Sequence, residues 1–490
     1  MCERHRVGRT GRWARAAGGS GPGGVGWGRP PRPGPRNPAV YNGAMSGRRV
    51  GISLALVATV LLVPVAAGAA DVVEATLDNG LRVLLLEDHR SPVVAVQIWY
   101  RVGSRNERVG LSGVSHFLEH MMFKGTPRYA PRMYATLIER QGGEQNAYTS
   151  QDATVYYVNI AGDRIDLVLE LEADRMRHLS LDPKELESER KVVMEERRTR
   201  SEDDPVGALG EAFHLAAFTA HPYRLPVIGF MQDIERLTVD DVRAWYNTYY
   251  VPNNAILVAV GDFSASELLE RIRAHFGSIP RGPAVLPVSL VEPEQRGERR
   301  VWIRKEAQLP VVFMGYPTPN FRSPDAYALD VLSVVLSGGR ASRLYQRLVR
   351  DERLALDAGG DYSRLGVDPD AYTFYASVLP EKTVDDVERA LMAEVERLRV
   401  ELVSDEELQR AKNQIEASYL FGQDPVQTRA GTLARNELCR SWRLRDEYLP
   451  GIRAVTREDL RRAAQRYFVR DRQTTAILVP VPPGSTAPAH

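Results

Sequence analysis

His116, Glu119 and His120 stand at the spacing H-x-x-E-H, inside Leu111-Ser-Gly-Val-Ser-His-Phe-Leu-Glu-His-Met-Met-Phe123. Positions three and four apart share one face of a helix, so the three side chains project together. Two imidazoles one turn apart can both reach a single Zn²⁺ at about 2.0–2.1 Å. The carboxylate between them is then placed to take a proton from a water that the metal acidifies to a pKa of about 7, rather than to bind the metal. The alternative is a solvated helix face that carries these residues by chance. Histidine is scarce, however, with 9 in 490 residues, which favours the metal reading.

A catalytic zinc needs a third protein ligand and one open position. Candidates lie in Glu187-Ser-Glu-Arg-Lys-Val-Val-Met-Glu-Glu-Arg-Arg198. Glu189 and Glu196 are two helical turns apart and share a face. The segment is charge-rich, and spacing alone leaves Glu189, Glu195 and Glu196 open.

Elements must hold these groups in place. Apolar residues at Leu111, Val114, Phe117, Leu118, Met121 and Met122 recur at helical spacing and put the motif on a helix. Before it, 81–87 and 93–100 read as strands, with a turn signal at Thr76-Leu-Asp-Asn-Gly80. After it, 132–140 reads as a helix ended by Gly142-Gly143, and 144–160 as one strand. Residues 164–179 and 183–199 read as helices, the second carrying Glu189 and Glu196. A further helix spans 239–249 and a strand 255–260. His214 and His221 have no partner at ligand spacing and read as structural.

A chain of 490 residues exceeds one core. Residues 1–44 hold eight Arg and one Glu among many Gly and Pro, too little apolar surface to fold. They read as disordered, or as sequence upstream of a later start at Met45. Residues 45–70 carry Arg48 and Arg49, an uncharged stretch and Ala67-Gly-Ala69, which together predict a cleavable signal peptide. Export follows, to a periplasm or beyond, with no stable membrane span once the signal is removed. Without residues 1–70 the net charge turns from +1 to −8, and no basic block suited to nucleic acid remains. Cys439 is then the single cysteine, so no internal disulfide can form.

The mature sequence divides into 71–283, a Pro- and Gly-rich linker at 284–299, a second domain at 300–484 and a tail at 485–490. The two domains repeat each other. Leu237-Thr-Val-Asp-Asp-Val-Arg and Tyr250-Val-Pro-Asn-Asn-Ala-Ile-Leu-Val-Ala-Val260 parallel Val455-Thr-Arg-Glu-Asp-Leu-Arg and the segment from Phe468 to Val481. Each half thus ends on a helix followed by a strand, the mark of two homologous α/β domains.

The chain resembles the pitrilysin-type (inverzincin) zinc peptidases, which include insulysin and the β subunit of the mitochondrial processing peptidase. The matching pieces are Gly103-Ser104, Gly113-Val-Ser-His-Phe-Leu-Glu-His-Met-Met-Phe-Lys-Gly-Thr126, Gly142-Gly-Glu-Gln-Asn-Ala147, Thr154-Val-Tyr-Tyr157, Glu189-Arg-Lys-Val-Val-Met-Glu-Glu196, His221-Pro-Tyr223 and Gly229. The resemblance implies an α+β fold with two homologous domains. Each would be a mostly antiparallel sheet packed with helices, facing the other across a clamshell chamber. It implies one Zn²⁺ on His116, His120 and Glu196, with Glu189 supporting a ligand and Glu119 activating the water. It also implies that a peptide substrate adds as an extra strand to the edge at 144–160, touching Asn146 and Ala147.

The second domain departs from the pattern. The resemblance implies a substrate-binding Arg and, seven residues later, a Tyr that stabilises the tetrahedral intermediate. Arg350 is present, but position 357 is Asp and Leu354 replaces a Gly. An ionised Asp offers no donor to a developing oxyanion. Some bacterial members of the family it resembles work as pairs, one chain holding the zinc site and the other the Arg and Tyr, so the resemblance implies a zinc-less homologous partner in a heterodimer. The fallback is a homodimer in which Tyr362 takes the Tyr role. A non-catalytic scaffold or peptide-binding subunit of a membrane-associated complex is the reading from another class.

Overall fold

The computed structural model describes residues 71–482. The leader 1–44, the signal 45–70 and the tail 485–490 lie outside the described residues. The first half runs β1 (Val73–Thr76), β2 (Arg82–Glu87), β3 (Val93–Tyr100), α1 (Val114–Met121), α2 (Met133–Arg140), β4 (Glu144–Thr149) and β5 (Thr154–Ala161). It continues with α3 (Ile165–His178), α4 (Pro183–Arg197), α5 (Pro205–Ala217), α6 (Met231–Arg236), α7 (Val239–Tyr249), β6 (Ala255–Gly261) and α8 (Ala265–Phe276). The second half runs β7 (Arg299–Glu306), β8 (Val311–Thr318), α9 (Asp325–Ser337), β9 (Ala355–Tyr362), β10 (Asp370–Val378) and α10 (Val384–Val400). It ends with α11 (Asp405–Phe421), α12 (Val426–Cys439), α13 (Leu444–Ala454), α14 (Arg457–Tyr467) and β11 (Thr474–Val481). Residues 277–298 between the halves form neither helix nor strand.

Each half builds one mixed, mostly antiparallel sheet. The strand orders are β1-β2-β6-β3-β5-β4 and β7-β11-β8-β10-β9. Apart from β1 the two orders correspond strand for strand. The sequence repeat explains why. α7 and α14 both start with a Thr/Asp capping box, Thr238 with Asp241 and Thr456 with Asp459. Each helix delivers a strand that pairs parallel on one side and antiparallel on the other: β6 between β2 and β3, β11 between β7 and β8.

β6 reads AILVAVG and is buried along its whole length. A continuous apolar run of that kind needs cover on both faces of the sheet. Leu257 and Ala259 face the first half's own helices, packing in one core with Phe117 and Leu118 of α1. Ile256, Val258 and Val260 face α12 of the second half, against Ala430, Leu433 and Ala434. The exchange is mutual, because α5 of the first half lies on the second sheet through Leu209, Phe213 and Ala217. Polar contacts add to this junction: Arg82 with Glu437 at 3.0 Å, Arg429 with Asp88, and the Gln97 side chain donating to the Gln427 carbonyl at 2.9 Å.

Two elements differ from the sequence reading: the first half does not end on β6 but continues into α8, and 144–160 is not one strand. Residues 144–160 form a hairpin of two strands, β4 and β5, and not a single strand. The Ser150 hydroxyl accepts from the Asp152 and Ala153 amides, and the Ser150 N–H donates to the Ala153 carbonyl. This serine turn reverses the chain without Gly or Pro. Its result is that β4 becomes the outermost strand, paired only with β5.

Candidate metal centre

α1 begins at Gly113, whose φ of +83° is left-handed and whose Cβ, if present, would sit 2.5 Å from the Ile228 carbonyl oxygen. Glycine is required there on both counts. The buried carboxylate of Glu107 accepts the Gly113 N–H at 2.7 Å and the Ser115 N–H at 2.8 Å. It thereby satisfies helix-start donors and opposes the positive end of the helix dipole. The helix so fixed presents His116 and Glu119, both buried, and His120, partly buried.

α4 packs across α1 and delivers Glu196. Its Oε2 lies 3.4 Å from His120 Nε2 and 3.7 Å from His116 Nε2. One donor atom from each of these residues falls within 4.8 Å of the others. Tetrahedral zinc with N and O ligands at about 2.0–2.2 Å sets neighbouring ligand atoms about 3.3–3.5 Å apart, so the donor set fits that ion. Glu189, one face and two turns earlier on α4, accepts from His120 Nδ1 at 2.9 Å and is itself clamped by Lys124. Glu195 turns away, its side chain 69% exposed and paired with Arg198. The fold therefore separates the three glutamates that spacing left equivalent.

Charges in this cluster are strongly coupled. Burial pushes His116 down to about 3, helped by the neighbouring His120. Burial opposes the His120 imidazolium too, but the Glu189 and Glu196 carboxylates outweigh it and lift the pKa to about 9. Burial likewise works to raise Glu196, yet its bond to His120 and the charges around it hold it at about 2. A site rich in carboxylate and gathered around one proton is a site a divalent cation can take over, releasing that proton. Burial raises the Glu119 carboxyl, against a hydrogen bond of 2.6 Å donated by the Thr149 hydroxyl to Oε2.

The insulinase model of peptidase family M16 matches residues 82–229, and the model described as the M16 inactive domain matches 236–415. The zinc protease PqqE of Helicobacter pylori is 34% identical over 409 residues, covering 83% of this chain and 92% of the relative. The chain belongs to peptidase family M16. An uncharacterised zinc protease of Mycobacterium tuberculosis is 32% identical over 410 residues, with the same coverage of 83% and 92%. Among solved structures, a protease from Helicobacter pylori superimposes with a TM-score of 0.82 at 33% identity, over 84% of this chain and 100% of that one. The periplasmic protease PqqL from Escherichia coli shares the fold, with a TM-score of 0.70 at 20% identity, over 84% of this chain and 48% of PqqL.

Asn146 and Ala147 lie on the outer strand β4, where the exposed Asn146 side chain accepts from the Ala147 N–H at 2.8 Å. Arg350 lies in a widened π-helical segment (Tyr345–Asp351) of the second half. It is exposed and bonded to Asp351 at 2.8 Å, with no contact to the His116 cluster among the described residues. Asp357 is exposed on the edge strand β9. The role suggested for Tyr362 does not survive. Its ring is buried and stacked on Tyr372, and its hydroxyl donates to the Pro319 carbonyl. A hydroxyl committed inside its own core cannot serve a substrate. His214 bonds the Gly210 carbonyl, and His221 bridges Asp368 at 3.1 Å, both away from the metal donors. Cys439 is buried and free.

Three contributors have roles that nothing in the sequence marks, although Lys124 lies inside the Gly113–Thr126 stretch. Lys124 clamps Glu189, and Thr149 holds Glu119. Arg200 bonds the second oxygen of Glu196 at 2.8 Å. It reaches back through a π-helical turn (Arg198–Glu202), a device that often marks functional positions.

Proposed function

We propose that this chain is an exported zinc-dependent endopeptidase that hydrolyses short or unfolded peptides. The observation that carries the reading is the convergence of His116 Nε2, His120 Nε2 and Glu196 Oε2, with the Glu119 carboxylate on the same helix face. His116, His120 and Glu196 would hold the ion, and Glu189 would orient His120. Zinc, when bound, supplies Lewis acidity toward the scissile carbonyl and an acidified water. Glu119 takes the proton of the attacking water and passes it to the departing amine. Its burial supports that work, because burial raises the pKa of the carboxyl and makes its carboxylate a stronger base toward the proton of the water.

β4 is the edge strand beside α1, and an extended peptide can add to it through main-chain hydrogen bonds, near Asn146 and Ala147. Such binding reads few side chains and excludes folded substrates. Export is supported by Arg48-Arg49 and the uncharged stretch ending at Ala70.

A zinc-less homologous chain completes the enzyme in this reading. Asp357 and the buried Tyr362 leave neither of the two positions considered for the tyrosine able to donate to a developing oxyanion. The chain spans about half of PqqL and matches 93% of the fragment described as its first half.

The test is cleavage of a fluorogenic library of extended peptides by the purified protein, alone and with a zinc-less homologue from the same source. Zinc is quantified in each sample. The expected result is one zinc per chain, cleavage that requires the partner, and Glu119→Gln that keeps zinc but loses cleavage. Full activity without a partner overturns the heterodimer. Absence of both zinc and cleavage in every setting leaves the scaffold role in place of the enzyme.

A further inference from the structure

We infer that Thr149 is a positioning residue that ties the substrate-binding strand to the general base, an inference that rests on the peptidase reading above. Its hydroxyl donates to Glu119 Oε2 at 2.6 Å, across from β4 to α1. Side chains alternate along a strand, so Ala147 and Thr149 share one face of β4. Ala147 packs into the core that contains α1, which directs Thr149 toward Glu119.

Proton bookkeeping fixes the direction of that bond. Thr149 is the last residue of β4 and pairs with Thr154. Thr154 is fully buried and its own hydroxyl donates to the Val102 carbonyl at 2.9 Å. The two threonine oxygens lie 3.5 Å apart. Thr154 therefore has no proton left for Thr149, and an ionised Glu119 can only accept, so the Thr149 proton goes to Oε2. Thr149 thus assigns one oxygen of the base to an anchor and the other to catalysis, and fixes the rotamer of the side chain between them.

The anchor sits on the strand to which the peptide adds. Hydrogen bonds from peptide to β4 and from β4 to Glu119 then share one rigid frame, backed by β5 and by Thr154 in the core. The register of the bound peptide sets the distance from scissile carbonyl to base. Misplacement of a reacting group by about 1 Å can lower a rate by about 100-fold.

The experiment compares Thr149→Val, which keeps shape and removes the hydroxyl, with Thr149→Ser, which keeps the hydroxyl. Both are made in the zinc-loaded protein, with its partner chain where cleavage needs one. Thr149→Val is expected to lower kcat by about 10- to 100-fold with KM within about twofold, and Thr149→Ser to restore kcat to within about threefold of the parent. Zinc affinity, read by competition with a chelator, is expected to be the same in all three proteins, because Thr149 touches no metal donor. An unchanged kcat in Thr149→Val overturns the inference and leaves the peptidase reading intact. Equal loss in Thr149→Ser, or a fall in zinc affinity in Thr149→Val, also overturns it, since the hydroxyl would then not be acting through Glu119. A parent protein that cuts nothing overturns the peptidase reading and the inference with it.

Discussion

His120 has both ring nitrogens engaged, Nε2 toward Glu196 and Nδ1 on Glu189, whereas His116 Nδ1 is buried without a partner among the described residues. His120 is therefore the donor whose basicity a carboxylate can tune; against its burial, that carboxylate is kept charged by its bond to His120, with Lys124 adding to it. Outer partners of this kind are worth about 10- to 100-fold in metal affinity. Glu189→Gln should lower zinc affinity by about that factor, measured by chelator competition, because a neutral amide is a weaker acceptor and leaves Lys124 only the more distant Glu185 carboxylate at 3.7 Å. Glu195→Gln should leave zinc affinity unchanged, since that side chain faces solvent beside Arg198. The pair of variants distinguishes glutamates that lie within seven residues of one another on one helix.

At the scale of elements, the exchanged helices α5 and α12 bind the two halves together. α5 approaches the second sheet so closely that a Cβ on Gly315 would meet the Phe213 ring at 2.4 Å. Gly315→Ala should destabilise the protein by about 1–3 kcal/mol through overpacking, seen as a lower midpoint in urea unfolding. Phe213→Leu in the same chain should recover part of the loss, because the two sites share one contact. On the other side, Leu433 of α12 is buried against β6. Leu433→Ala should destabilise by about 2–5 kcal/mol, the usual range for a cavity left in a packed core.

Across the whole molecule, the junction between halves also depends on charge. The Asp88 carboxyl is held at about 2 by its bonds to Arg90, with Arg429 of α12 adding to it. The Glu74 carboxyl is held at about 2 by its bonds to Trp442 and Arg443. In the unfolded chain these groups take up protons near their ordinary values of 3.8 and 4.5. The folded state therefore binds fewer protons between those values and about 2. Stability from these pairs is fully present above pH 4.5 and is lost as pH falls through about 2. Urea unfolding followed over that range should show stability declining with acid, and Arg429→Met should make the decline shallower. An unchanged slope in Arg429→Met would show that Arg429 does not hold Asp88 down.

The relation of His116, Glu119 and His120 was legible because helical geometry is local: three residues within five positions share a face whatever surrounds them. The repeat that relates α7–β6 to α14–β11 was legible for the same reason, since capping boxes and apolar runs are short-range features. The choice among Glu189, Glu195 and Glu196 was not legible in spacing, where only the resemblance pointed to Glu196, because all three suit a helix and the packing of α4 on α1 decides which one meets the imidazoles. The β4–β5 hairpin was hidden by a turn made from a serine hydroxyl, with no Gly or Pro to mark it. Thr149 and Lys124 were hidden more deeply, because the target of a hydroxyl or an ammonium depends on what the chain brings beside it. An amphipathic helix announces that it has an apolar face but not which sheet will cover it, and so the exchange of α5 and α12 belongs to the tertiary structure alone.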